Sequence, residues 1–221
     1  MMHLTPGKIF LADQRGLTET TISRRFSTFN FEKYYDEDKQ PFGDLFICND
    51  ESLVGGKLSF FLSREDSYQL FFPTTGRLDI VQGGKAFSVN TGEVQVLNVG
   101  KGEVLEISNP NSHDTINYIQ IGIKTDMFLL RASEMLFSFD FETCTNQLTE
   151  VISHPKLPFK LSAGIFAESA ETTYKLQNKA QKIFCLVVDG TFEIEGRKLH
   201  ARDGLALWDL EKVKLEALSN N

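Results

Sequence analysis

The chain is poor in the residues that carry most protein chemistry. Its three cysteines, Cys48, Cys144 and Cys185, are odd in number and far apart. No Cys-x-x-Cys pair is present, so neither a zinc knuckle nor a dithiol redox motif is available, and reduced, mostly buried thiols are expected. Only four histidines occur, His3, His113, His154 and His200, and no two are spaced to share one face of a strand or helix. No stretch approaches the roughly 20 apolar residues needed to cross a bilayer as a helix. The segment Met1-Met2-His3-Leu4-Thr5-Pro6-Gly7-Lys8 lacks the cationic start and apolar run of a signal peptide. A cytoplasmic location with no membrane partner is therefore expected. Also missing are a phosphate-cradling Gly-x-x-x-x-Gly-Lys, a dinucleotide-type Gly-x-Gly-x-x-Gly and a nucleophile-elbow Gly-x-Ser-x-Gly. Basic charge is in short supply too: the formal net charge of -7 argues against a nucleic-acid partner held through phosphates.

What is abundant is phenylalanine, 19 residues against five tyrosines and one tryptophan. Phe fills an interior without needing a hydrogen-bond partner, so well-packed apolar cores are expected. The chain reads as short strands separated by turns. Lys57 to Ser63 and Tyr68 to Phe72 are apolar β-type runs, and Arg77 to Gln82 and Lys85 to Asn90 flank Gly83-Gly84, a two-residue hairpin signal. Ile119, Ile121 and Ile123 alternate with Gln120, Gly122 and Lys124, the period of a half-buried strand. The same period returns at Thr191 to Glu195 and at Lys212 to Ala217.

Strand-turn-strand elements in the two halves, around Thr91-Gly92-Glu93 and around Arg202-Asp203-Gly204, form a weak internal repeat. Many short strands in two blocks, residues 40–124 and 158–218, predict an all-β chain of duplicated barrels. The expected division is an N-terminal barrel over 1–130, a connection over 131–157 and a smaller C-terminal barrel over 158–221. Met127 to Ser133 is read as a helical turn, and the Phe-rich stretch Phe137 to Phe141 as part of the connection.

Several short motifs, in order, resemble the pirin family of bicupins. Ala12-Asp13-Gln14-Arg15-Gly16 is similar to that family's opening, Phe26-Ser27-Thr28-Phe29-Asn30-Phe31 to its Phe-rich segment, and Phe42-Gly43-Asp44-Leu45 to its Phe-Gly-x-Leu element. Asn49-Asp50-Glu51, Gly92-Glu93-Val94-Gln95, Gly100-Lys101-Gly102 and Ile119-Gln120-Ile121 follow, and Gly196, Leu199, Asp203 and Gly204 sit where the family has its second-half turns. The resemblance implies two tandem cupin domains, that is, double-stranded β-helix or jelly-roll barrels. It also implies quercetinase-like dioxygenase chemistry in bacterial members and association with transcription factors in eukaryotic ones.

In that family, His-x-His on one strand and His-x-Glu on another converge on Fe, Ni, Cu or Mn, since residues i and i+2 of a strand point the same way. Counting from Gly76 puts the first pair at Leu62 and Arg64, and counting from Gly100-x-Gly102 puts the second at Leu105 and Ile107. None of the four is a ligand, so no metal cofactor is expected. A register slip of one residue would bring in Ser63, Glu65 and Glu106, an oxygen-only set better suited to Mg or Ca.

Arg64 is the sharpest feature left at these positions. One reading points it into the barrel, where Arg64, Tyr68 and Gln120, with Leu62, Leu105 and Ile107, bind a carboxylate-bearing or phenolic small molecule. The other places Arg64 in a loop from Ser63 to Ser67, facing water. Three functions stay open at this point: a non-enzymatic bicupin that binds a small organic ligand or has a filled barrel; a metal-dependent quercetin 2,3-dioxygenase-like enzyme; and a protein-interaction module acting as a transcriptional cofactor, whose partner the sequence does not name.

Overall fold

A computed structural model of the chain describes residues 5–126, 134–140 and 145–220. Residues 127–133, read from sequence as a helical turn, lie outside that set, as does Phe141. Among the described residues there are twenty strands, one short 3-10 turn at Ala12–Gln14 and no α-helix. Nothing among them is a helix long and apolar enough to cross a membrane.

The chain divides into two compact units, one of residues 16–139 and 154–158, the other of residues 1–15, 140–153 and 159–221. The first strand of the chain, β1 (Gly7–Phe10), belongs to the second of these. The larger unit then runs β2 (Gly16–Glu19), β3 (Ser23–Ser27), β4 (Leu45–Leu53), β5 (Leu58–Leu62), β6 (Ser67–Thr75), β7 (Arg77–Gln82), β8 (Lys85–Asn90), β9 (Glu93–Val99), β10 (Val104–Ser108), β11 (Ile116–Lys124) and β12 (Met135–Ser138). These form a seven-stranded sheet, ordered β12-β9-β6-β11-β4-β3-β2, and a four-stranded sheet, ordered β5-β10-β7-β8. Neighbouring strands in both sheets pair antiparallel.

One apolar cluster joins the two sheets: Ile47, Leu53, Phe71, Leu97, Val99 and Tyr118 from the larger, Phe61, Leu78, Ile80, Val89, Leu105 and Ile107 from the smaller. The unit is therefore a jelly roll of two packed sheets rather than a closed barrel. Gly83 and Gly84 turn β7 into β8 with φ of 56° and 84°, the pair of positive values that a two-residue hairpin requires and that side chains resist. Strands β7 and β8 run as the sequence predicts, Arg77–Gln82 and Lys85–Asn90.

The smaller unit holds β1 with β13 (Thr149–Ser153), β14 (Lys160–Ala163), β15 (Glu171–Lys175), β16 (Ile183–Leu186), β17 (Thr191–Ile194), β18 (Arg197–His200), β19 (Gly204–Leu207) and β20 (Lys212–Ala217). Its sheets are β1-β19-β16, β15-β20-β17-β18 and the pair β13-β14. Leu199, Leu205, Leu207, Val213, Leu215 and Ala217 line its core. Asp203 ties the turn between β18 and β19 by accepting the backbone N–H groups of Ala12 at 2.7 Å and His200 at 2.8 Å.

Candidate functional site

The positions where the sequence predicts replaced metal ligands fall on β5, on the loop after it, and on β10. Strand β10 pairs with β5 so that Leu105 faces Phe61 and Val104 faces Leu62. Leu105 and Ile107 point into the core, at 0% and 2% exposure, and Phe61 and Ser63 join them from the β5 side at 4% and 1%. Leu62 lies on the opposite face of the sheet and is 52% exposed. The inward pair is thus Phe61 and Ser63, one residue out of register with Leu62 and Arg64. Arg64 stands in the loop between β5 and β6, exposed.

This donor set does not fit a transition metal. Two alkyl side chains, one aromatic ring and one hydroxyl offer neither imidazole nor carboxylate, the ligands such ions take. Among the described residues no three His, Cys, Asp or Glu side chains gather closely enough to hold an ion. His113 is exposed in a loop, His154 follows β13 with its Nδ1 accepting from the Lys156 N–H, and His200 ends β18 beside Thr191. His3 lies outside the described residues.

The face of the seven-stranded sheet that looks into this jelly roll carries polar side chains in its interior. Gln120 on β11 pairs with Phe71 on β6, so its side chain shares a face with Gln69 and Ser67. Gln120 Nε2 donates to Gln69 Oε1 at 2.9 Å, and Gln69 Nε2 donates to Ser67 Oγ at 2.9 Å. Ser63 Oγ continues the line by donating to the Glu65 carbonyl at 2.7 Å. Gln120 Oε1 and the neighbouring Asn49 Nδ2 are buried without a hydrogen-bond partner among the described residues. Tyr68 lies on the other face of β6, one residue out of phase with this line, and is buried there. Burial raises its phenol pKa, against an opposing hydrogen bond from Thr125.

Further along the same interior face, Glu51 on β4 is buried with two partners. Arg25 Nε donates to Glu51 Oε1 at 2.8 Å, and the Tyr118 hydroxyl donates to Glu51 Oε2 at 3.1 Å. Burial and the adjacent Glu51 charge hold the Tyr118 phenol well above its ordinary pKa. Burial by itself would lower the Arg25 pKa, but the charge and hydrogen bond of Glu51, with Glu32 behind them, leave it raised. The second arm of Arg25 reaches Glu32 at 3.1 Å, and its guanidinium lies 4.8 Å from the Phe31 ring centroid. Glu32 adopts a φ of 51°, unusual for a residue with a side chain, at the head of a tight turn closed by reciprocal Phe31 and Tyr34 backbone bonds. Arg25 thereby anchors a surface rim to the buried carboxylate.

That rim borders an open pocket. Phe31, Phe46, Phe61 and Leu62 give it apolar walls, Arg64 and Lys124 give it cations, and Glu32 and Glu65 add carboxylates to its lining. Lys124 is committed to Glu65 at 2.9 Å and sits 5.5 Å from the Phe46 ring centroid. Arg64 makes no hydrogen bond or ion pair with any described residue. Of the residues singled out from sequence, Arg64 and Leu62 meet in this pocket, Leu105 and Ile107 are core, and Tyr68 and Gln120 are separated by the sheet. Phe31, Phe46 and Lys124 were missed. Their signal was weak, because a loop and two strand ends distant in sequence supply them.

Two packed-sheet jelly rolls in tandem define the class: a bicupin. Comparison with known proteins agrees. Residues 158–221 match the quercetinase C-terminal cupin domain. A quercetin 2,3-dioxygenase of Escherichia coli (strain K12) is 21% identical over 223 residues, spanning 95% of this chain and 93% of that protein. The crystal structure of YhhW from Escherichia coli superposes with a TM-score of 0.83 at 21% identity, covering 97% of this chain and 94% of the other. A structure of bacterial pirin YhhW from Escherichia coli in complex with nickel(II) gives 0.78 at 20% identity, covering 97% and 95%. The chain thus has the bicupin fold of these structures, and its residues 158–221 match a quercetinase-type C-terminal cupin domain.

Proposed function

We propose that this chain is a small-molecule-binding bicupin whose larger jelly roll takes an aromatic carboxylate or phenolate at the Arg64 pocket, without a transition metal. One observation carries the reading: an exposed guanidinium with no described partner, placed beside Phe and Leu walls. A charged head group on Arg64 and an aromatic body against Phe31, Phe46 and Phe61 is the ligand these walls complement. The lack of imidazole and carboxylate at Leu62, Arg64, Leu105 and Ile107, and at the inward-facing Phe61 and Ser63, supports binding rather than oxygen chemistry. Quercetin 2,3-dioxygenase activity, the activity in a relative's name, is the second reading, and needs a metal held by other residues. A cytoplasmic location is part of the proposal.

Calorimetric titration with a panel of aromatic carboxylates and phenols tests it, with bound metal measured by mass spectrometry on tag-free protein. A ligand whose affinity falls at least about tenfold in Arg64→Ala, the size of one lost charge-assisted bond, supports the pocket, provided thermal stability is unchanged. Equal affinity in wild type and Arg64→Ala removes the pocket role. One tightly held Fe, Ni, Cu or Mn per chain moves the dioxygenase reading to the front.

A further inference from the structure

Strand β5 is an edge strand of the four-stranded sheet, and one side of its backbone is unpaired. The Lys57 carbonyl accepts from Asn109, and Ser63 exchanges bonds with Glu103 and Gly102, so the odd-numbered residues turn their backbone groups toward the β10 side. By the alternation of an antiparallel ladder, Leu58, Phe60 and Leu62 aim their N–H and C=O groups at the free edge. No described residue bonds them. The same three residues put their side chains on the outer face, at 41%, 60% and 52% exposure, and Val104 beside Leu62 adds another at 45%. Edges of this kind are normally protected by charge or proline. Leu58-Ser59-Phe60-Phe61-Leu62 has neither. At the opposite edge of the same sheet, β8 shows solvent Ala86, Ser88 and Asn90 on the corresponding face.

We propose that β5 is a self-association edge, pairing antiparallel with β5 of a second copy about a two-fold axis at Phe60. The sequence of the strand is complementary to itself in that register. Phe60 opposes Phe60, and Leu58 opposes Leu62 of the other copy, so apolar side chains meet only apolar ones on the outer face. Every free backbone group of Leu58, Phe60 and Leu62 then finds a partner. In this register Lys57 of one copy meets Ser63 of the other, so no like charges face each other at the ends of the strand. A two-fold pairing of one edge with itself closes the assembly at two chains.

Sedimentation velocity over a dilution series, on the full chain, reads the mass. The expected result is a species of about twice the 25.0 kDa chain mass, converted to monomer by Phe60→Lys with unchanged circular dichroism and melting temperature. Phe60→Cys is expected to cross-link on oxidation where wild type does not, since hydrogen-bonded antiparallel partners lie about 5.5 Å apart, within disulfide range. Leu58→Cys alone is expected to stay uncross-linked, and Leu58→Cys combined with Leu62→Cys to link. A wild-type monomer at every concentration, a dimer that survives Phe60→Lys, open-ended assembly, or a Phe60→Cys dimer that fails to cross-link would each overturn the proposal.

Discussion

The two jelly rolls are built from the same kind of strand but have different interiors. Among the described residues, every buried polar or charged residue but one, Asn49, Glu51, Gln69 and Gln120 among them, belongs to the larger unit, and Asp203 is the one in the smaller. Asp203 is fully used, holding the His200 N–H of the turn it closes and the Ala12 N–H of the 3-10 turn after β1. The larger unit instead keeps a charged pair and a line of amides, with donor and acceptor atoms left over at Asn49 and Gln120. Apart from Asp203, the buried side chains described in the smaller unit are apolar. The larger one carries polar groups inside that stability does not call for, since an unpaired buried group costs about 1–3 kcal/mol. A barrel that served only as filler would not need them.

The largest test of that contrast is Glu51→Gln. Removing the carboxylate charge leaves Arg25 largely buried opposite a neutral amide, and breaking a buried pair this way costs about 3–5 kcal/mol. Urea unfolding should show that loss. A change below about 1 kcal/mol would mean that Glu32 and solvent suffice for Arg25, and that the charged interior of the larger unit is incidental.

Alkaline stability separates the two interiors next. In the smaller unit, burial, helped by the Glu195 charge, pushes the Cys185 thiol from 9.0 up to about 12. In the larger, Tyr118 is pushed well above 10.0. Both groups have raised pKa values in the folded protein, so each holds its proton there while the unfolded chain gives it up. Their contribution is intact below the unfolded pKa and declines as pH rises toward the folded one. Cys185 therefore begins to cost stability from pH 9, at about 1.4 kcal/mol per pH unit and roughly 4 kcal/mol in full. Tyr118 adds to the decline only above pH 10. In denaturant melts between pH 8 and 11, Cys185→Ala is expected to flatten the earlier part and Tyr118→Phe the later. An unchanged slope below pH 10 in Cys185→Ala would show that solvent reaches the half-buried thiol.

How far the sequence foretold this depends on whether the relevant signal was local. The β7–β8 hairpin is legible from Gly83-Gly84, and β11 from its alternating isoleucines, because turn chemistry and period two are properties of neighbours. The bicupin frame follows from motif order. Strand β5 was not legible in phase: Leu-Ser-Phe-Phe-Leu is apolar on both faces, so nothing marked Phe61 as inward and Leu62 as outward. The membership of β1 rests on its pairing with β19, across nearly the whole chain. The Arg25–Glu51 pair and the Gln69–Gln120 bond likewise join residues whose proximity only the sheet order creates. Arg64 was legible as a residue of interest, but its pocket was not, since Phe31 and Phe46 reach it from the loop after β3 and the start of β4.

A smaller effect is expected at Asp203. Asp203→Ala leaves two backbone donors without their acceptor, a loss of about 1–3 kcal/mol in chemical unfolding. Asp203→Asn keeps one acceptor oxygen and should recover part of it. If Asn and Ala lose equally, the charge rather than the bond geometry matters in the smaller unit, and the contrast between the interiors narrows.

The least change, and the sharpest on the point, belongs to the amide line. Gln120→Leu removes an acceptor atom that has no partner but also takes the donor from Gln69 Oε1, so a loss of about 1–2 kcal/mol is expected. Adding Gln69→Leu removes the stranded oxygen. Ser67 keeps its own bond to the Glu65 carbonyl at 3.3 Å, so the double variant leaves little unsatisfied. Apolar replacement of both partners in a buried hydrogen bond is close to neutral, and the double variant should return to within about 1 kcal/mol of wild type in the same urea titration. That recovery would show that the amides are dispensable to the fold, leaving their presence to be explained by what the interior holds. A double variant that loses more than the two singles together would make them structural, and the two jelly rolls would then differ in style of packing rather than in purpose.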